Sequence, residues 1–137
     1  DLKIVGRLDV DTTGLLLLTD DGQWLHRVSN PNRSHGKTYL VTTDRDITAE
    51  QLTPMTVGVA LRGDEALTKP ARIEYLSKTQ FKLTIFEGRY HQVKRMLAAV
   101  GNKVEELHRD QIGPLSLDAD ILAGEFRELT DEEVAYF

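Results

Sequence analysis

QFKLTIFEGRYHQVKRMLAAVG, residues 80–101, contains the patterns of a strand, a turn and a helix in succession. Its first part alternates apolar and polar residues, as a strand with one buried face does; the apolar positions are Phe81, Leu83 and Ile85. After a Glu-Gly break, apolar residues recur at helical spacing as far as Gly101, a residue type that often ends helices. We therefore predict a strand over 80–86 and a helix over 90–100.

The segments on either side of this unit are mostly strand-like. The predicted strands and extended pieces cover 14–19, 37–43, 57–61, 70–76, 103–109, 114–117 and 125–129. Four consecutive leucines in the first of them predict burial on both faces. Helices are predicted over 23–29, over 48–55 and from Thr130 onward, the last two from capping boxes, with a polar loop over 29–36. Runs of strands with few helices favour an α+β domain with a mixed, mostly antiparallel sheet flanked by helices.

Length and composition restrict the class of protein. The 137 residues suffice for one domain, and the absence of cysteine excludes disulfides and thiolate metal sites. No apolar run approaches the roughly 20 residues of a membrane span, so we interpret the chain as cytoplasmic and not membrane-bound. The net charge of −5 is unusual for a nucleic-acid-binding protein. However, seven of the acids lie after residue 117, and the bases form local clusters that could bind phosphate.

The segment GRLDVDTTG, residues 6–14, places an arginine and two acids in a glycine-bounded loop before a predicted strand. A loop held firmly at one end is a common location for catalytic groups. One carboxylate could attack an anomeric carbon, two could form a glycosidase acid–base pair, or both could bind a divalent cation. The structural alternative is a turn in which Asp9 and Asp11 cap backbone N–H groups.

Two further residues have both a structural and a functional interpretation. Lys94 falls at the border of the apolar stripe of the 90–100 helix, so it must extend outward or meet an acid, for which Asp9 is a suitable partner. Tyr39, in the 37–43 strand, is either a core residue or a flat surface for a flipped-out base. The four histidines lack the spacing of a zinc site, and neither a phosphate-binding loop nor a dinucleotide-binding motif is present.

Taken together, three segments resemble the ordered signature of the RsuA/RluA superfamily of pseudouridine synthases. They are Gly-Arg-Leu-Asp-x-Asp-Thr-x-Gly-Leu, Lys-x-Tyr and Glu-Gly-Arg-x-His-Gln-x-Lys-Arg-Met, and their order and spacing are specific. The version Tyr90–Arg95 is more similar to the RsuA type. The resemblance implies that Asp9 is the catalytic aspartate, that Tyr39 stacks on the target base, and that Lys94 is the basic partner of the aspartate.

The resemblance also implies a reaction and its partners. A specific uridine in ribosomal RNA, most simply 16S small-subunit RNA, would be isomerised to pseudouridine by a monomer without a cofactor or metal. Residues 1–137 would then be the catalytic domain, with the family's N-terminal S4-like domain and first catalytic strands absent. The expected RNA contacts are Arg7, Arg33, Lys37, Arg89, His91 and Arg95. A non-catalytic RNA-binding module and a carboxylate-pair glycosidase are the alternative hypotheses.

Overall fold

The structure, a computed structural model, describes residues 1–33 and 35–137; Ser34, in the predicted polar loop, lies outside the described residues. Strands predominate over helices along the described chain. The strands are β1 (Lys3–Val5), β2 (Thr12–Gly14), β3 (Leu17–Thr19), β4 (Lys37–Thr43), β5 (Arg72–Ser77), β6 (Gln80–Ile85), β7 (Val104–Ile112) and β8 (Leu115–Ser116). The helices are α1 (Gly22–Ser29), α2 (Ala49–Val57), α3 (Gln92–Ala99) and α4 (Asp131–Val134), with a 3-10 turn at Pro31–Arg33.

The main sheet has the strand order β2-β7-β4-β6-β5, with β8 paired to β7. Its pairs β7-β4, β4-β6, β6-β5 and β7-β8 are antiparallel, whereas β2 runs parallel to β7. Strands β1 and β3 form a separate antiparallel pair. The predicted α+β class with a mixed, mostly antiparallel sheet is therefore confirmed.

Two apolar cores hold these elements together. The larger core lies where the main sheet meets α2 and α3, and its least exposed side chains are Phe81, Met55, Leu83, Met96, Leu97 and Val41. The smaller core gathers β1, β3, α1 and the last residue of the chain, with Trp24 and Phe137 in edge-to-face contact at 5.7 Å between ring centroids. The cavity described below opens between residues that belong to both cores.

Several predicted elements match the structure closely. The 37–43 strand is β4, the 80–86 strand is β6 within one residue, and both capping boxes form, at Thr48 and at Thr130. Each of these elements is specified by residues within a few positions of one another, either through alternation or through a local hydrogen-bonded cap.

Other predicted elements are wrong. The 14–19 segment is not one buried strand. Leu15 N donates to Arg109 O at 2.7 Å, and after this bond the chain leaves β2 and enters β3. Leu16 and Leu18 are 38% and 51% exposed. Residues 57–61 form no strand. Val59 N donates to the hydroxyl of Thr68, and the carbonyl oxygen of Val59 accepts from Thr68 N, so Val59 contacts a loop residue and not a neighbouring strand. Residues 125–129 also lack strand pairing. The 90–100 helix begins only at Gln92.

Among the helices of the described residues, none combines the length and the apolar composition that crossing a bilayer requires.

Candidate active site

The acidic loop that precedes β2 is shaped by its ends. Gly6 has a φ of 73°, which turns the chain sharply after β1, and Thr12 N donates to Asp9 O at 2.9 Å to close the turn that leads into β2. The Asp9 side chain is 32% exposed, so it lies at the edge of the protein interior rather than fully inside it. The loop therefore presents Asp9 toward the helix that lies across from it.

Lys94, in the first turns of α3, reaches both acids of this loop. Its Nζ lies 3.8 Å from Asp9 Oδ2 and 2.6 Å from Asp11 Oδ1. Lys94 and Asp9 are thus brought together as the sequence predicted, but Asp11 is the closer partner, which the sequence did not predict. The hydrogen bond from Lys94 lowers the pKa of the Asp11 carboxyl below its ordinary value.

A second basic side chain approaches Asp9 from the residue that precedes α3. His91 Nε2 lies 3.8 Å from Asp9 Oδ1, and its ring stacks on that of Tyr90 at 3.8 Å between centroids. His91 has a φ of 47°, in the left-handed region, which is unfavourable for a residue with a Cβ. This backbone conformation directs the ring toward Asp9 and delays the helix until Gln92.

Asp9 lines a cavity of about 660 Å³, a volume within the range of small-ligand sites. Tyr39 and Lys37 line it from β4, and Arg109 lines it from β7. In the register of these two strands Tyr39 lies opposite Arg109, and Lys37 shares the face of Tyr39 because alternate residues of a strand point the same way. The cavity therefore contains an aromatic ring, a carboxylate and several cations.

The predicted RNA contacts are not all in one place. Arg7, Lys37, Arg89 and His91 line the cavity, whereas Arg33 and Arg95 are not among its lining residues. Arg33 Nη1 instead donates to the carbonyl oxygen of Phe137 at 3.2 Å. The cavity therefore gathers four of the six expected contacts, and Arg33 braces the end of the chain.

Arg89 and Arg95 are both held by Asp64, an acid that the sequence did not single out. Arg95 Nη2 lies 2.8 Å from Asp64 Oδ1, and Arg89 Nη1 lies 3.3 Å from Asp64 Oδ2. Both guanidinium groups also donate to carbonyl oxygens of the 62–67 loop. These contacts fasten that loop to the start of α3, so they support the position of His91 and Lys94.

The charge of Asp64 should contribute to stability in a pH-dependent way. Its pKa in the folded protein is lowered, mainly by the hydrogen bond from Arg95. This contribution is therefore present above the unfolded-state pKa and is lost as the pH falls through the folded-state value. We expect Asp64→Asn to lower the melting temperature by a few degrees at neutral pH, and the deficit to shrink below about pH 4.

The matched control is Asp120→Asn, which neutralises an exposed acid without an ion-pair partner among the described residues. Thermal unfolding of both variants over a pH series provides the measurement. A deficit for Asp64→Asn that stays constant from neutral to acidic pH would show that its charge does not contribute.

Sequence reasoning missed Arg109, and it considered Asp11 only as half of a carboxylate pair or as a cap, not as a partner of Lys94. Both had a usable signal: Asp11 lies two positions from Asp9 and so shares its face in an extended segment, and Arg109 lies two positions from the buried Leu107 in a strand. A charged residue at a core-facing strand position indicates either a buried partner or a site.

Comparison with known proteins identifies relatives that share one family description. The sequence profile of the family described as "RNA pseudouridylate synthase" matches residues 1–99. The protein from Escherichia coli strain K12 called ribosomal small subunit pseudouridine synthase A is 55% identical over 134 residues, which are 98% of this chain. The protein of the same name from Vibrio cholerae is 56% identical over 135 residues. This chain spans 58% of the length of each of these two relatives.

Solved structures show the same fold. A crystal structure of a pseudouridylate synthase superimposes with a TM-score of 0.96 at 52% identity, covering 98% of this chain and 59% of that one. An archaeal Nop10-Cbf5 complex of a box H/ACA particle aligns over 86% of this chain with a TM-score of 0.56 at 21% identity, which shows likeness of fold alone.

Proposed function

Because this chain belongs to the RNA pseudouridylate synthase family, we propose that the protein containing it isomerises a specific uridine to pseudouridine in ribosomal RNA. We assign the catalytic domain to residues 1–137 and the substrate to small-subunit RNA or an assembly intermediate of the ribosome. The observation that carries the proposal is the approach of Lys94 Nζ to within 3.8 Å of Asp9 Oδ2 beside the cavity lined by Tyr39. We further assign a monomer acting in the cytoplasm.

The reaction requires only groups that these residues supply. The C1′–N1 bond of uridine breaks, the uracil turns, a C5–C1′ bond forms, and the C5 proton is replaced by one on N1. No electrons are gained or lost overall, so no redox cofactor is needed. Asp9 is the reacting carboxylate, which either attacks the sugar or the base or accepts a proton from the sugar. Lys94 Nζ and His91 Nε2 each lie 3.8 Å from one of its oxygens and hold the carboxylate in place.

Tyr39 supports the target base in this proposal. An aromatic ring on a rigid strand provides a flat surface on which an unpaired base stacks. The target uridine must leave its own stack first, at a cost of a few kcal/mol, which favours single-stranded or irregular RNA. Arg7, Lys37, Arg89 and His91 line the same cavity and remain our predicted RNA contacts. Arg33 and Arg95 also remain predictions, as contacts of RNA outside the cavity.

The direct test is tritium release from RNA that contains 5-tritiated uridine, because the C5 hydrogen is lost when C5 joins the sugar. We expect the full-length protein to release tritium from small-subunit ribosomal RNA and not from large-subunit RNA. Mapping of the modified position by chemical labelling and reverse transcription would then identify the uridine. Absence of release from either RNA, and from assembly intermediates, would refute the proposed activity.

A further inference from the structure

Two cations that form no ion pair among the described residues line the same cavity as Tyr39. Lys37 is two residues before Tyr39 on β4, and Arg109 lies opposite Tyr39 on β7. All three line the cavity that contains Asp9. The ammonium group of Lys37 extends toward the turn before α3, since a Cβ added to Gly88 would lie 3.2 Å from its Nζ. The two cations and Tyr39 therefore line one cavity from the neighbouring strands β4 and β7.

Arg109 is the more deeply placed of the two, with only 2% of its surface exposed. Its Nε and Nη2 donate to the carbonyl oxygen of Leu15 at 3.0 and 2.8 Å, and its Nη1 has no partner among the described residues. A guanidinium group that is buried against a neutral oxygen alone loses its hydration without gaining a counter-ion. Such an arrangement is costly unless a ligand completes it.

Burial distinguishes Arg109 from the other arginines of the described residues that form no ion pair, since those are exposed or half-buried. Arg89, Arg95 and Arg127 each form an ion pair with an acid. In the part of the chain that the structure describes, neither Lys37 nor Arg109 has such a pair. Asp9 and Glu87 also line the cavity, but neither forms an ion pair with Lys37 or Arg109.

The surroundings of Lys37 disfavour its positive charge. Burial, and to a smaller degree the charge of Arg109, lower the pKa of the Lys37 ammonium below its ordinary value. An anion placed between the two groups would offset both effects.

We propose that Lys37 and Arg109 form an anion subsite that binds negatively charged oxygen atoms of the RNA substrate next to Asp9. This inference rests on the proposed function, which it extends to Arg109. The charge has two possible sources in the same substrate. One is the phosphodiester beside the flipped uridine. The other is the uracil ring itself, whose O2 and O4 share the electron pair that remains on the ring when the C1′–N1 bond breaks.

The second source appears only during the reaction. The electron pair stays with uracil until C5 uses it to bond to C1′, which makes the ring neutral again; loss of the C5 proton and gain of a proton at N1 then complete pseudouridine. A fixed pair of cations beside Tyr39 would stabilise the ring while it carries the charge and turns. Binding of a phosphodiester, by contrast, would contribute equally before and after the chemical step.

The variant that tests the subsite is Lys37→Gln, because replacing Arg109 would also remove two hydrogen bonds to Leu15. The control is Lys103→Gln, an exposed lysine outside the cavity, and Lys37→Arg tests rescue by charge. All are made in the full-length protein, and thermal unfolding verifies that each is folded. Affinity for RNA and the single-turnover rate at saturating RNA are measured separately for each.

The first experiment tests whether the subsite binds a phosphodiester of the RNA. The phosphates next to the target uridine are replaced one at a time by uncharged methylphosphonates. If the subsite binds one of them, that replacement weakens binding by the unmodified protein about tenfold or more, the scale of a charge-assisted hydrogen bond. The same replacement then has little further effect on Lys37→Gln.

The second experiment tests whether the subsite stabilises the charged uracil ring. If it does, Lys37→Gln leaves the affinity for RNA unchanged and lowers the single-turnover rate about tenfold or more, and Lys37→Arg recovers that rate. The loss is smaller for RNA with 5-fluorouridine at the target, whose ring carries negative charge more readily. Its C5 holds fluorine in place of the hydrogen, so no C5 proton can be lost, and the product with the C5–C1′ bond is followed by nucleoside chromatography.

Equal affinity and equal rate for Lys37→Gln and Lys103→Gln would overturn the subsite while leaving the proposed function intact. Failure of the unmodified protein to release tritium would refute the proposed function instead. The methylphosphonate comparison needs only binding, so it would still test the subsite in that case.

Discussion

Replacement of Asp9 by asparagine should lower the single-turnover rate of uridine isomerisation by at least about 10³-fold, the scale seen when an essential reacting group is removed. Asparagine has almost the same shape, but its amide neither attacks carbon nor accepts a proton at neutral pH. The fold should survive, because Lys94 keeps its 2.6 Å contact with Asp11 Oδ1. Tritium release measures the rate, and thermal unfolding measures the stability.

Asp11→Asn is the matched comparison, since it neutralises the other acid of the same loop. In the proposed function Asp11 holds Lys94 without reacting, so its loss should reduce the rate much less than the loss of Asp9. Equal and severe losses in both variants would instead favour the carboxylate-pair chemistry considered from the sequence. Retention of the full rate by Asp9→Asn would exclude Asp9 from the chemistry.

The parts of the fold that could be predicted are those specified locally. The alternation of Phe81, Leu83 and Ile85 requires one buried face whatever the strand pairs with, and the capping box at Thr48 is complete within four residues. The division between β2 and β3 could not be predicted from the leucine run. It depends on the hydrogen bond from Leu15 to Arg109, residues far apart in the sequence.

The site was predictable to the extent that single residues conflicted with their expected environment. Lys94 at the border of an apolar stripe indicated an acidic partner, and a lysine paired with an acid is what the structure contains. The choice between Asp9 and Asp11 was beyond the sequence, because it depends on the turn that the bond from Thr12 N to Asp9 O closes between them. The left-handed backbone of His91 was also beyond it, since helical spacing alone places that residue inside the helix.

The largest expected effect on stability comes from Gly14, at the point where β2 meets β7. A Cβ added there would lie 2.1 Å from the carbonyl oxygen and 2.6 Å from the nitrogen of Arg109, and backbone atoms cannot move aside as a flexible side chain can. Gly14 also has a φ of 117°, which residues with a side chain rarely adopt. Strain and overpacking each cost on the order of 1–3 kcal/mol, so Gly14→Ala should lower the free energy of unfolding by about 3 kcal/mol or more.

Alanine variants of two other glycines distinguish the cost of backbone strain from the cost of the steric clash. Gly22→Ala, with open space around the new Cβ and no left-handed φ, should be nearly neutral; Gly6→Ala, with open space but a φ of 73°, should cost roughly 1–2 kcal/mol. Chemical denaturation of the three variants measures the series. Gly14→Ala should also shift Arg109, and therefore weaken RNA binding in any fraction that folds. If Gly14→Ala were no less stable than Gly6→Ala, the close approach of β2 to Arg109 would not exist in the protein, and the placement of that cation in the cavity would lose its support.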